Sequence, residues 1–275
     1  MGGSGDETQY AAAQAEPAEP IGVPRVGDVI AGKYRVERVL GLGGMGVVVA
    51  ATHLAIGEPV AIKMLLPKTR TDEHVERFLR EARAAVRIKS EHIVRVSDVG
   101  QLDDGSPYMI MEYLDGCDLG ARLVEGGPMA VTEAVEYVLQ AATGIAEAHA
   151  LGIVHRDLKP TNLFLTRRAD GAPFVKVLDF GISKTVDEAH VPALTQTRET
   201  FGSPAYMSPE QIRSAKNVDA RTDVWSLGVI LHELLTGHTP FVAETAGGLL
   251  SAIAADEPEK LRTRLPNASE LLEAI

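Results

Sequence analysis

His155-Arg156-Asp157-Leu158-Lys159-Pro160-Thr161-Asn162 and, further along the chain, Asp179-Phe180-Gly181 are two polar words separated by two short apolar runs, Leu163 to Thr166 and Phe174 to Leu178. Each run has the length and composition of a strand, and Asp170-Gly171 supplies the turn between them. A hairpin at this point doubles the chain back and sets both polar words beside one cleft.

Working outward, Tyr34-Arg35-Val36-Glu37-Arg38-Val39-Leu40 reads as a strand, and Val47-Val48-Val49-Ala50 reads as its return after Gly41-Leu42-Gly43-Gly44-Met45-Gly46. Glycines at these positions let a backbone fold over phosphates and present its N–H groups without Cβ interference. The same spacing opens dinucleotide-binding units, but there a helix follows the glycines, whereas a valine-rich strand follows here. Pro59 to Leu65 is the next strand and ends near Lys63. A lysine at a strand end is ordinarily a surface residue. Here the apolar Val60-Ala61-Ile62 run carries it inward, where an unpaired ammonium is costly, so a carboxylate is expected to meet it.

That carboxylate is assigned to Glu81, on the inward side of a helix marked by Val75, Phe78, Leu79, Ala82 and Val86 at helical spacing. Ile93 to Val99 and Tyr108 to Tyr113 bring the set to five strands. The expected architecture is α+β in two lobes: residues 28–113 a small five-stranded β lobe with one main helix, residues 114–118 a hinge, and residues 119–275 a larger, mainly α lobe. Val131 to Leu151 and Asp223 to Thr236 are its strongest amphipathic segments.

The composition is that of a globular chain, with 45% hydrophobic and 24% charged residues. A net charge of -11 argues against nucleic-acid or anionic-membrane binding through a basic face. The lone Cys117 excludes an internal disulfide, and no stretch has the apolar length of a membrane span, so the cytoplasm is the default location and no membrane contact is expected within this chain. Residues 1–27, rich in Gly, Ala, Glu and Pro, are expected to be a disordered tail. Gly2 does not open a myristoylation signal, because Asp6 stands where Ser or Thr is required.

Taken together, the glycine turn, Val60-Ala61-Ile62-Lys63, the His155 to Asn162 run and Asp179-Phe180-Gly181 resemble the protein kinase family, in one order and over approximately Val29 to Ile275. The resemblance implies the two-lobed kinase fold and transfer of the γ-phosphoryl group of ATP. It implies Asp157 as the catalytic base toward a substrate hydroxyl, Lys159 as a point charge on the transferred group, and Lys63 with Glu81 on the nucleotide phosphates. Asn162 and Asp179 supply hard oxygens for Mg2+, with Mn2+ as a substitute. Around the adenine it implies Leu40, Val48 and Ala61 above the ring and Phe164 below. Met111 would limit the back pocket, with the Glu112 carbonyl and Leu114 amide at the edge and Asp118 at the ribose. Gly41, Gly43, Gly44 and Gly46 would cover the phosphates.

Leu158-Lys159-Pro160 resembles serine/threonine rather than tyrosine kinases, and Ser203 keeps a hydroxyl where the family usually has threonine. Asp223 and Trp225 match the helix that braces the catalytic loop. Arg156 before Asp157 implies a site neutralised by an activation-loop phosphate. The Thr195-Gln196-Thr197 triplet resembles bacterial members in which paired threonines are autophosphorylated, with Thr185 and Thr200 as weaker sites. The implied partners are protein substrates with Ser or Thr acceptors and a second kinase copy for trans-autophosphorylation.

One departure from the family stands out. The glutamate matching Glu210 pairs there with an arginine of a late helix, and this chain stops inside the preceding helix, Ser269 to Ile275. Arg262 and Arg264 lie in the wrong segment to replace that arginine. A partly buried, unpaired Glu210 is expected to cost about 3–5 kcal/mol. The C-terminal helices are therefore expected to be truncated, and the full-length protein to continue, with a membrane anchor among the continuations. A pseudokinase scaffold or an inactive fragment is the alternative, although a scaffold is expected to lose Lys63, Asp157 or Asp179 and all three are present. An aminoglycoside-type small-molecule kinase is a further rival, disfavoured by Ser208-Pro209-Glu210.

Overall fold

The computed structural model describes residues 22–43, 46–180, 204–214 and 218–274. The small lobe is built on an antiparallel sheet of β1 (Val29–Ile30), β2 (Tyr34–Leu42), β3 (Gly46–His53), β4 (Pro59–Leu65), β5 (Val96–Gln101) and β6 (Pro107–Glu112), in the order β1-β2-β3-β4-β6-β5. The sheet therefore has six strands, not five. The extra one, β1, is two residues long and pairs only with β2, too short for any alternation to reveal it. Residues 22–27, assigned to the tail from sequence, contact this lobe: Gly27 N–H donates to Val36 C=O at 2.9 Å and Val23 packs on the core of Val36, Val49 and Ile62.

The helix α1 (Asp72–Arg87) starts where the Thr71 hydroxyl accepts the His74 N–H, and its acidic first turn and terminal Arg87 suit the helix dipole. Phe78 and Ala82 bury against Ala61, Leu65 and Met111, each large apolar side chain contributing about 1.5–3 kcal/mol. Val86, expected on this face, is instead 43% exposed. Arg77 takes a buried place, its stem inside and its head on Glu73 at 3.1 Å. The C-terminal end of α1 leaves the small lobe altogether: Ala84 and Ile88 belong to the large-lobe core.

The same crossing explains why β5 begins at Val96 rather than at Ile93. Ile93 forms a parallel bridge with Val177, Val94 N–H donates to Val177 C=O at 3.0 Å, and Val177 N–H donates to His92 C=O at 2.7 Å. Beyond the connector, β7 (Cys117–Asp118), β8 (Leu163–Arg167) and β9 (Pro173–Val177) form a three-stranded sheet. Residues 117–118, expected in the hinge, thus belong to the large lobe. Gly116, at φ 144°, must be glycine, since a Cβ there would sit 2.1 Å from the Leu165 carbonyl oxygen.

The large lobe adds α2 (Leu119–Gly126), α3 (Val131–Ala150), α4 (Pro209–Arg213), α5 (Arg221–Thr236), α6 (Ala246–Ala255), α7 (Leu261–Arg264) and α8 (Glu270–Glu273). α3 and α5 carry the core through Ala141, Ile145, Ile230 and Leu234, which close over Leu158 and Leu163. None of the described helices is long and apolar enough to cross a membrane.

Candidate active site

The loop from His155 to Asn162 is suspended from one buried carboxylate. Asp223, in the first turn of α5 and wholly buried, accepts the His155 N–H through Oδ2 and the Arg156 N–H through Oδ1, both at 2.8 Å. His149 Nε2, on α3, reaches the same Oδ2 at 2.7 Å. These bonds hold Arg156 in a left-handed conformation, φ 67°, that a non-glycine residue adopts at a cost. Gln211 completes the grip by donating from Nε2 to the Arg156 carbonyl at 3.0 Å. Gln211 is itself fixed by a reciprocal cap with Ser208 at the start of α4.

His155 ties this loop to the residues before Asp179. Burial pushes its imidazole below the ordinary range and outweighs the nearby Asp223 charge, so the ring is neutral. Its Nε2–H donates to Leu178 C=O at 2.9 Å, leaving Nδ1 to accept the Asp157 N–H at 3.2 Å. Phe180 packs on its face, ring centres 4.7 Å apart. Asn162 closes the loop from the other end: its Nδ2 donates to Asp157 C=O at 2.8 Å, and its own C=O accepts the Leu178 N–H. With the amide nitrogen so engaged, Asn162 Oδ1 has no hydrogen-bond partner among the described residues and is an oxygen ligand in reserve.

Lys63 reaches from β4 across the cleft. Its Nζ lies 2.7 Å from Asp179 Oδ1 and 3.7 Å from Glu81 Oε2. Burial works to lower the lysine pKa, but the charges of Asp179 and Glu81 prevail and hold it above its ordinary value, firmly cationic. Asp179 also has a left-handed backbone, φ 42°. Lys159 Nζ lies 3.5 Å from Asp157 Oδ2. A cavity of about 190 Å³ brings together Gly46, Lys63, Glu81, Asp157, Asp179 and Phe180, from both lobes. Two lysines set among three carboxylates can hold a polyanion together with a divalent cation, and the Asp157 carboxylate can accept a proton beside it.

The residues read as an adenine site divide into two groups. Val48, Ala61, Met111 and Leu114 share one apolar cluster, with Val48 opposite Lys63 and Ala61 opposite Met111 in the sheet register. Leu40 is 39% exposed at the end of β2, and Phe164, half-buried, pairs with Asp118 in β7 and β8. One oxygen of Asp118 is occupied, capping α2 through the Ala121 N–H at 2.9 Å. Burial and the Asp118 charge push the Cys117 thiol up, away from a reactive thiolate. Gly41 has open space where a Cβ would be, whereas at Gly46 a Cβ would stand 2.2 Å from the Met64 carbonyl oxygen. Close packing of β3 on β4 therefore accounts for Gly46 without any ligand.

Gly44, Thr185, Thr195, Thr197, Thr200 and Ser203 lie outside the described residues. Glu210 corrects an expectation: it is exposed rather than partly buried, so the cost of burying an unpaired charge does not arise. Its charge acts weakly on Arg221, whose main partner is Asp219. Arg264 is engaged with Glu259 at 2.7 Å and Arg262 with Glu270 at 3.5 Å, so neither serves Glu210. Glu210 borders a groove of about 820 Å³, lined by Trp225 and Phe241 among others and not by Asp157. Sequence reasoning missed His149, Gln211 and Lys176. The last was visible as a lone cation in the otherwise apolar Phe174-Val175-Lys176-Val177 run.

Residues 34–271 match the protein kinase domain family. The serine/threonine-protein kinase pkn3 of Myxococcus xanthus is 42% identical over 245 residues, 88% of this chain and 45% of that protein. Pkn1 of the same organism is 45% identical over 253 residues, 92% of this chain and 36% of its own length. The chain thus spans less than half of these relatives. Among solved structures, the Mycobacterium tuberculosis PknI kinase domain superposes with a TM-score of 0.66 at 28% identity, covering 90% of this chain and 88% of that one. Rad53 residues 1–466, in complex with AMP-PNP, gives 0.70 at 27% identity, covering 88% and 58%. The chain therefore belongs to the protein kinase family, with bacterial serine/threonine kinases as its relatives.

Proposed function

We propose that this chain transfers the γ-phosphoryl group of ATP to serine and threonine hydroxyls of proteins, and that phosphorylation of Thr195 and Thr197 switches it on. The observation that carries the first part is the convergence of Lys63, Glu81, Asp157 and Asp179 from both lobes on one small cavity. Asp157 accepts the proton of the substrate hydroxyl, and Lys159 beside it steadies the oxygens of the group in transfer. Lys63, held by Glu81, positions the nucleotide phosphates. Divalent magnesium takes few protein oxygens and shares phosphate ligands. The Asp179 carboxylate and the Asn162 Oδ1 suit it, and bound there it would neutralise charge on the phosphates.

The second part is supported by a basic recess. Arg80, Arg83 and Arg87 of α1 and Arg156 of the loop line a cavity of about 320 Å³ between the lobes. Among the described residues none of their side chains has a carboxylate partner, although the chain carries a net charge of -11. A phosphothreonine brings three strong acceptor oxygens to such a place.

Transfer of radiolabelled phosphate to a generic basic protein tests the reading, with Asp157→Asn alongside. Transfer by the parent and loss in Asp157→Asn is the expected result. A folded, nucleotide-binding parent that transfers nothing would favour a scaffold. Thr195→Ala with Thr197→Ala is expected to lower both activity and autophosphate, and undiminished values would overturn the switch alone.

A further inference from the structure

We infer that Lys176 is a positioning residue for nucleotide binding, acting from behind the connector through the Glu112 carboxylate. The inference rests on the nucleotide site proposed above. Lys176 lies on β9 in the large lobe and Glu112 is the last residue of β6 in the small lobe. Their charged ends meet at 2.6 Å with side-chain exposures of only 13% and 20%. A pair so shielded is screened less than one on the open surface.

The geometry around Glu112 shows what the pair holds. Its Oε1 accepts both Lys176 Nζ and the Arg95 N–H, the latter at 2.8 Å, while the Glu112 N–H donates to Arg95 C=O at 3.0 Å. The carboxylate and the peptide of one residue are thus locked to the same neighbour, and the lysine fixes the carboxylate. The rest of the connector is braced in the same way: Arg38 donates to the Tyr113 hydroxyl at 2.8 Å and Thr166 to the Asp115 carbonyl at 2.7 Å. Adenine edge bonds are assigned to the carbonyl of Glu112 and the amide of Leu114, one residue on either side of Tyr113. Their spacing is a property of this backbone, and Lys176 supplies the charged brace on it from the opposite lobe. Directional bonds to a purine edge are lost when that backbone gains freedom.

Fluorescent ADP binding and steady-state kinetics on Lys176→Met test this. The dissociation constant for ADP and the KM for ATP are expected to rise by about three- to tenfold, with kcat changing by less than about twofold. Lys176→Arg, which restores the cation, is expected to recover both. A lysine that merely supported the fold would lower the melting temperature without this split between KM and kcat. Should Lys176→Met fold poorly, Lys176→Gln keeps the length and a donor and is read in the same way. Unchanged ADP affinity and KM in a folded variant, a fall in kcat at constant KM, or no recovery in Lys176→Arg overturns the inference. A parent chain that binds no nucleotide overturns the nucleotide site itself, and this inference with it.

Discussion

Replacing Asp223 with alanine removes the acceptor for two main-chain N–H groups, those of His155 and Arg156, and for His149. The site is wholly buried, so water cannot take over without rearrangement. Each orphaned buried N–H costs about 1–3 kcal/mol, together roughly 2–6 kcal/mol. Part of this returns, because Arg156 is no longer held at φ 67° and leaving that conformation releases about 1–3 kcal/mol. The expected net loss of stability is centred on about 2 kcal/mol. Activity should fall further than stability. The relaxation that recovers the strain moves the peptide next to Asp157, and a displacement near 1 Å costs on the order of a hundredfold in rate. Urea unfolding followed by the fluorescence of Trp225, the single tryptophan, gives the first quantity and phosphate transfer by the folded variant gives the second. A variant within about 0.5 kcal/mol of the parent that keeps its full rate would refute the account of how the loop is hung.

The two glycines that flank the β2–β3 turn should behave in opposite ways. Gly46→Ala forces β3 away from the Met64 carbonyl and is expected to destabilise by about 1–3 kcal/mol, whereas Gly41→Ala, with open space, stays within about 0.5 kcal/mol and raises the KM for ATP; equal melting temperatures would remove the packing explanation. Burial raises the Glu233 pKa, against the opposing hydrogen bond from the Tyr206 hydroxyl at 2.7 Å. A raised carboxyl stabilises most below its unfolded pKa and loses that contribution as pH rises through the folded value. Glu233→Gln, uncharged throughout, should therefore gain melting temperature relative to the parent at pH 7 compared with pH 4. An offset independent of pH would show that the carboxylate is not strained.

The proposed catalytic residues were legible because each is a polar type placed by an apolar neighbour: Ile62 brings Lys63 inward, and Leu158 and Leu163, both buried, bracket Lys159 and Asn162. Glu81 followed from the helical period of Phe78 and Ala82. What stayed hidden depends on contacts far apart in the chain. Nothing near Lys176 in sequence announces Glu112, and nothing near Gln211 announces the Arg156 carbonyl. Val86 was misplaced because a single period cannot register that α1 changes partners along its length. Likeness to the family gives Glu210 as partly buried, whereas exposure is set by what packs over it in three dimensions.

That change of partners gives α1 a mechanical character. Its far end, Ala84 and Ile88, is seated in the large-lobe core, and the strand-like residues that follow are stitched to β9 by His92, Ile93 and Val94. Its near end, at Thr71, lies with the small lobe. Among the described residues the covalent connector and this stitched segment are both anchors between the two bodies, and two anchors define an axle. Two such anchors oppose free swivelling and favour rocking about that line. In such a rocking Ile88 is the pivot of α1, while Phe78 and Ala82, seated on the small-lobe sheet, carry Glu81 with that lobe. The Lys63–Asp179 distance, which spans the two lobes, is thus the gauge of lobe angle, and it is 2.7 Å here.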